Sequence, residues 1–99
     1  MNTPIIRIKA VIKLYSDVRR TPFSSGYRPL FDFIKETKTS GQITLLDREA
    51  FYPGDEGIVE IAFLIRRALG DNFFEGTKFT FGEGRKLVGE GTILEILEY

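Results

Sequence analysis

The sequence predicts a small all-β domain folded as a barrel or a sandwich. About six short segments alternate apolar with polar residues, which is the period-two pattern of half-buried strands. Clusters of glycine, proline and other turn residues separate these segments. Nine phenylalanines and four tyrosines supply the large side chains that a small core needs. The chain has 99 residues and no linker or repeat, so we expect one domain over residues 1–99.

The first half of the chain predicts three strands. The first strand covers Ile5–Tyr15, where five apolar residues fall on one face: Ile6, Ile8, Ala10, Ile12 and Leu14. Asp17–Gly26 predicts a long loop, because it contains a proline, two serines and a glycine. The second strand is expected at Arg28–Glu36 and a short third strand at Gln42–Leu46.

A turn, a fourth strand and an irregular segment follow. Residues 52–57 contain a proline and two glycines and predict the turn. The fourth strand is expected at Ile58–Arg67, with one face formed by Val59, Ile61, Phe63 and Ile65. Residues 68–76 predict irregular chain, with a short helical turn near Leu69.

The chain ends with a predicted hairpin. Its strands, Lys78–Phe81 and Lys86–Leu97, flank a glycine-containing loop at residues 82–85. Gly89 and Gly91 lie inside the last strand. Glycines in a strand usually mark a bulge or a tight bend at a barrel corner, and we expect one of these here.

The composition excludes several kinds of site. The chain has no cysteine and no histidine, which excludes disulfides, thiolate or imidazole zinc ligands and Ser-His-Asp chemistry. The P-loop string G-x-x-x-x-G-K-[ST] is also absent. The acidic residues are scattered and mostly lie in predicted turns. We therefore expect no enzymatic activity, no metal ion, no cofactor and no small-molecule substrate.

The charge and hydropathy patterns bear on partners and location. Lys and Arg total 14, as do Asp and Glu, so the formal net charge is zero. That balance does not support strong non-specific nucleic-acid binding, although a local basic face is compatible with it. The longest apolar run, Ile61–Ile65, is far too short to span a membrane. The N-terminus lacks the pattern of a signal peptide, so a cytoplasmic location is expected.

The loop between the first two strands combines basic and aromatic residues. Arg19, Arg20 and Arg28 cluster there, with Phe23 and Tyr27 between them. Such a set is typical of contacts to a nucleic-acid backbone or to carboxylates of a partner. In proteins generally, such a set is more often a loop that Phe23 anchors in the core while the arginines are solvated. For Arg28 we expect a bond to loop carbonyls or to a carboxylate.

The same loop contains a specific motif. Residues 21–33 match the pattern T-P-F-x-x-G-Y-R-P-x-F-x-F, which resembles the signature of the third, C-terminal β-barrel domain of translation elongation factor Tu. Further similar strings follow in order: Pro53-Gly54-Asp55, Gly76-Thr77-Lys78-Phe79, Glu83-Gly84-Arg85, and Val88-Gly89 with Gly91. The resemblance extends from about Ile5 to Leu97.

The resemblance implies a closed, six-stranded antiparallel barrel of Greek-key type. It also implies that nine motif residues have structural roles: Thr21, Pro22, Phe23, Gly26, Tyr27, Pro29, Pro53, Gly54 and Asp55. For Gly26 we expect either a positive φ angle or a close backbone approach. The GTP-binding motifs of the factor, which lie in a separate domain, are absent from this chain.

In that family, the third domain contacts the backbone of the T stem of aminoacyl-tRNA. Glu83 and Gly84 match family contact positions, and Arg66 or Arg67 corresponds to a family lysine. Leu30 and Leu87 replace a family glutamine and threonine, so the contact set is kept only in part. The residues predicted to bind RNA or a partner are Glu83, Gly84, Arg85, Arg28, Arg20, Ser40 and Arg66.

These features predict a non-catalytic binding module with a role related to translation. It would bind an RNA backbone, with weak affinity for tRNA because the domain is neutral and has no companion domains, or it would bind a protein. The alternative is a docking subunit for a separate GTPase or another protein, with no RNA role. That alternative predicts an exposed apolar patch near Leu30 and Leu64.

Overall fold

The computed structural model of the protein describes residues 5–99, which form one six-stranded barrel. The N-terminal residues on which the location prediction depends lie outside the described range. The strands are β1 (Ile6–Leu14), β2 (Leu30–Ile34), β3 (Thr37–Leu45), β4 (Glu56–Phe63), β5 (Lys78–Glu83) and β6 (Lys86–Glu98). A 3-10 helix at Arg66–Ala68 follows β4. No helical segment within residues 5–99 has the length and apolar character needed to cross a membrane.

The strands close into a ring in the order β1-β4-β3-β2-β5-β6, and every neighbouring pair is antiparallel. Three strands that are consecutive in the chain, β2, β3 and β4, lie side by side, with β1 next to β4 and β5 next to β2. This is the Greek-key arrangement. The predicted all-β fold is therefore confirmed as a closed barrel, which leaves no unpaired strand edge.

The core consists of inward-facing apolar residues from all six strands. The period-two pattern of β1 is confirmed, because all five residues predicted for its inner face are buried. Phe31 of β2 is fully buried at the centre of an aromatic cluster, with its ring centroid 5.2 Å from Phe63 and 5.6 Å from Phe81. Such contacts between rings add to the stabilisation that burial of their area provides.

Glycines make room for these rings. A methyl group on Gly41 would lie 2.6 Å from the ring of Phe63, and one on Gly91 would lie 2.5 Å from the ring of Phe79. The bulge expected near these glycines is found beside Gly89: Phe81 pairs with Gly89, and the next residue, Gly82, pairs with Leu87, which leaves Val88 as the extra residue on β6. Gly91 lies outside this irregularity and pairs in register with Ile12 on β1 and Phe79 on β5.

The largest differences from the predicted strand boundaries are at the start of β3 and the end of β4. β3 begins at Thr37 and not at Gln42, because a two-residue turn at Lys35–Glu36 closes the β2–β3 hairpin. Glu36 has a φ of 65°, a conformation that the sequence does not signal when glycine is absent. β4 ends at Phe63, so Ile65 is half exposed, and Leu69 is buried after the short helical turn that the sequence predicted.

Candidate interface at one end of the barrel

Most of the predicted site residues lie at one end of the barrel, which we call the loop end. It consists of the loop at residues 15–29, the loop at residues 46–55 and the β5–β6 hairpin at residues 83–86. Isolated bridges connect the first loop to the second loop and to the barrel wall. Phe23 pairs with Phe51 of the second loop, and Tyr27 pairs with Ile43 of β3. The long loop is therefore fixed to the barrel by backbone hydrogen bonds at two points.

Aromatic stacking fixes the same loop. The ring of Phe23 lies 4.5 Å from that of Tyr27 and 5.2 Å from that of Phe51, in stacked orientations. A guanidinium covers each end of this column: Arg19 lies 4.8 Å from the centre of the Tyr27 ring, and Arg48 lies 4.9 Å from that of Phe51. Cation–π contacts of this kind stabilise both partners. Phe23 is thus anchored in the core, as the structural interpretation of this loop predicted.

Glu83 connects the long loop to the β5–β6 hairpin. Its Oε2 atom accepts a hydrogen bond of 2.6 Å from the hydroxyl of Tyr27 and forms an ion pair with Arg19. Arg19 also donates through Nε to the carbonyl of Thr21, at 2.8 Å. Burial and the neighbouring carboxylate of Glu83 raise the pKa of Tyr27, so its hydroxyl stays protonated and remains the donor. The carboxylate that the resemblance assigns to RNA contact therefore makes contacts within the protein.

Two tight turns position the remaining motif residues. Gly26 has a φ of 103°, which confirms its prediction, and the amide of Tyr27 closes the turn by donating to the Ser24 carbonyl at 3.2 Å. Gly54 has a φ of 92° and follows Pro53, which is the residue pattern of a type II turn. The side chain of Asp55 accepts from the amide of Tyr52 at 2.9 Å and completes the second turn.

Other motif residues act through their backbone. The carbonyl of Pro22 accepts from Arg19 at 3.4 Å, and the carbonyl of Pro29 accepts from the amide of Gly41 at 3.3 Å. The prediction for Arg28 is wrong about its partner. Its guanidinium donates to the side-chain oxygen of Gln42 on the barrel wall, at 2.7 Å, and not to a loop carbonyl or a carboxylate. Its charge therefore remains without a carboxylate partner within residues 5–99.

A band of four cations runs across the loop end, and we call it the basic band. Lys38 of β3 reaches the β5–β6 hairpin, where its Nζ atom donates to the carbonyl of Gly84 at 3.1 Å. Arg85 and Lys86 are exposed in that hairpin. Arg20 lies across a surface groove from Lys86, and both residues line it. None of the four cations forms an ion pair within residues 5–99.

The other predicted contact residues lie outside this band. Ser40 is exposed on β3 and pairs with the half-buried Leu30 on β2. Arg66 lies after β4, where its guanidinium covers the ring of Tyr99 at 4.0 Å. No hydrogen bond or ion pair within residues 5–99 joins Arg66 or Ser40 to the hairpin.

Four residues of this region were not predicted from the sequence: Lys38, Arg48, Phe51 and Lys86. No motif in the sequence marks Lys38 or Lys86, and only strand pairing places them in one band. The Phe51-Tyr52-Pro53 string was a usable signal for Phe51, since an aromatic residue just before a turn is often an anchor.

No protein-family model matches the chain. Closed barrels occur in many unrelated proteins, so the fold by itself does not identify a family. The relation to the third domain of elongation factor Tu therefore remains a prediction from the sequence motifs. Within residues 5–99, no group of three or more acidic side chains is placed to bind a metal ion.

Proposed function

We propose that the protein is a non-catalytic binding module whose basic band contacts the phosphate backbone of an RNA, in a role related to translation. The observation that carries this proposal is the juxtaposition of Lys38, Arg85, Lys86 and Arg20, none of which has a carboxylate partner within residues 5–99. Cations that are already paired gain little from a phosphate, whereas unpaired ones release counterions when they bind it.

The distribution of charge supports this choice of surface. The chain is neutral as a whole, so a basic surface requires that charges be segregated. On the wall formed by β1, β4 and β6, cations face acids: Arg7 forms ion pairs with Glu60 at 2.7 Å and with Glu98 at 2.8 Å. Glu60 and Glu98 on that wall are thus paired within the protein, whereas the hairpin cations Arg85 and Lys86 form no ion pair within residues 5–99.

The motif resemblance supports RNA as the ligand. The hairpin that carries Gly84 and Arg85 corresponds to the hairpin that contacts the T stem in elongation factor Tu. Since Glu83 is engaged with Arg19 and Tyr27, the proposal assigns binding to its neighbours Arg85 and Lys86. Four phosphate contacts without companion domains give weak binding, which falls steeply as salt rises.

Fluorescence anisotropy with labelled tRNA, measured across a series of salt concentrations, tests this proposal. We expect binding at low salt, and we expect Lys86→Ala to reduce the slope of log K against log salt by about 1. Lys78→Ala is the matched control, because Lys78 is exposed on β5 about 17 Å along the strand from Glu83. Absence of binding at low salt, or equal slopes for both variants, would refute the proposal.

A docking subunit for another protein is the second candidate. The observation that favours it is a set of half-exposed apolar residues at the end opposite the loop end: Ile5, Leu64, Ile65, Phe74 and Tyr99. Apolar surface of this kind is typical of protein interfaces. This candidate predicts that Leu64→Asp disrupts a purified complex with the partner and that Lys86→Ala preserves it. The reverse result would eliminate it.

A further inference from the structure

The groove between the long loop and the β5–β6 hairpin is lined by more kinds of residue than binding of a phosphate alone requires. It has a volume of about 670 Å³, which lies within the usual range for small-molecule sites. Its lining combines apolar surface from Val18 and Pro53 with cationic side chains from Arg20 and Lys86 and one carboxylate, Asp17. Apolar, cationic and acidic groups therefore face the same space.

We propose that this groove is a subsite for a single unpaired nucleotide, preferably a guanine nucleotide; this inference rests on the proposed RNA-binding function and specifies its ligand. In this arrangement, Arg20 and Lys86 bind the phosphate. Arg19 also lines the groove, but its guanidinium is occupied by Glu83 and by the carbonyls of Thr21 and Pro22. The two remaining cations are thus the available anion ligands.

Asp17 is the residue that distinguishes a nucleotide from a bare phosphate. It forms no ion pair within residues 5–99, although three cations, Arg19, Arg20 and Lys86, line the same groove. An ionised carboxylate only accepts hydrogen bonds, so it repels phosphate but binds N–H groups. Guanine presents two adjacent N–H donors on its pairing edge, which match the two carboxylate oxygens. These donors are free only in an unpaired base.

The apolar residues provide the surface for the base. Val18 is partly buried and packs against the core, and Pro53 is held in a tight turn by the bonds that Asp55 and Gly54 make. A rigid apolar surface allows a base to pack against it at little entropic cost. The turn also lies close to the loop, because a methyl group on Gly54 would be 3.7 Å from Cβ of Ser16. The apolar side of the groove is therefore held in place by the protein's own contacts.

Three short RNAs of equal length test the inference by fluorescence anisotropy. The first is a single strand of uridines with one central guanine, the second is the same strand with an abasic site in place of guanine, and the third is a duplex. We expect the wild-type protein to bind the guanine strand about tenfold more tightly than the abasic strand. Asp17→Ala should bring this ratio to about one while it tightens binding of the abasic strand, since a repulsive charge is removed.

Asp71→Ala is the matched control, because Asp71 is an exposed carboxylate in the loop after β4 and does not line this groove. It should leave the ratio unchanged. If the duplex binds and the ratio is already about one in the wild-type protein, the nucleotide subsite is refuted and the proposed function stands. If none of the three RNAs binds at low salt, the proposed function is refuted together with the subsite.

Discussion

Arg19 and Glu83 form an ion pair that connects the long loop after β1 to the hairpin between β5 and β6. The hydroxyl of Tyr27 donates to the same carboxylate, and the guanidinium of Arg19 lies over the Tyr27 ring. A single acidic side chain thus organises two of the three segments that form the loop end. Because Glu83 lies at the edge of the basic band, its removal should lower stability and, if the protein has the proposed function, strengthen RNA binding.

The variant Glu83→Ala is expected to lower the free energy of unfolding by about 1–2 kcal/mol, because it removes two hydrogen bonds from a partly exposed carboxylate. The same change removes a negative charge beside Arg85 and Lys86, so RNA binding should become stronger. Urea denaturation measures the first effect, and anisotropy with tRNA measures the second. If RNA binding weakens while the fold remains intact, Glu83 contacts RNA directly, as the motif resemblance implies.

The raised pKa of the Tyr27 hydroxyl predicts that the protein loses stability at alkaline pH. Its pKa in the folded protein is raised above the ordinary value of 10.0, first by burial and then by the hydrogen bond to Glu83. Above that ordinary value, the unfolded chain loses the proton before the folded protein does. The unfolded state then binds fewer protons, so the free energy of unfolding falls as pH rises. The stability that Tyr27 contributes is fully present below the pKa of the unfolded chain. It is lost as the pH rises through the pKa of the folded protein.

Urea denaturation from about pH 9 to about pH 11 measures this dependence. Tyr27→Phe should flatten the decline relative to the wild-type protein. Tyr52→Phe is the control, because Tyr52 is exposed and its hydroxyl forms no hydrogen bond within residues 5–99. Identical pH profiles for the wild-type protein and Tyr27→Phe would show that neither burial nor the bond to Glu83 raises the pKa of Tyr27 in solution.

Local sequence patterns predicted the strands well. Contacts between segments that are far apart in the chain were not predicted. The inner face of β1 could be predicted because alternation of apolar residues is visible within one segment. The turn at Lys35–Glu36 was missed because a non-glycine residue adopts the positive φ there. The column of Phe23, Tyr27 and Phe51 was missed because stacking depends on where two loops meet, which no periodicity encodes.

The candidate site was predicted only in part, for the same reason. The sequence indicated Arg20 and Arg85 through their clustering and the motif resemblance. It did not indicate Lys38, whose approach to Gly84 results from the pairing of β2 with both β3 and β5. It also assigned Glu83 to the ligand, because a sequence does not show which carboxylates are already engaged by a neighbouring arginine.

Thr39 contributes an unsatisfied polar group to the core. Its side chain is 3% exposed, and its hydroxyl has no hydrogen-bond partner within residues 5–99. Thr39→Val keeps the shape and removes the cost of burying that hydroxyl, so it should raise the free energy of unfolding by about 1 kcal/mol. Thr44→Val, on the exposed face of the same strand, is the control and should have little effect. Destabilisation by Thr39→Val would mean that the hydroxyl has a partner in solution.

The packing of Gly41 against Phe63 predicts a strong coupling between these two positions. The three atoms nearest to a methyl group on Gly41 all belong to phenylalanine rings, with Phe63 at 2.6 Å and Phe31 at 2.8 Å. Gly41→Ala should therefore destabilise the protein by about 1–3 kcal/mol through overpacking. Phe63→Leu alone creates a cavity and is also destabilising.

In the double variant, the smaller leucine makes room for the new methyl group. The loss of stability should then be less than the sum of the two single losses, by at least about 0.5 kcal/mol. A double-mutant cycle measured by urea denaturation gives this coupling energy. Gly41→Ala combined with Thr44→Val is the control pair, since Thr44 points away from the core and should give additive effects. Additive losses for Gly41→Ala and Phe63→Leu would show that the phenylalanine ring does not limit the space above Gly41.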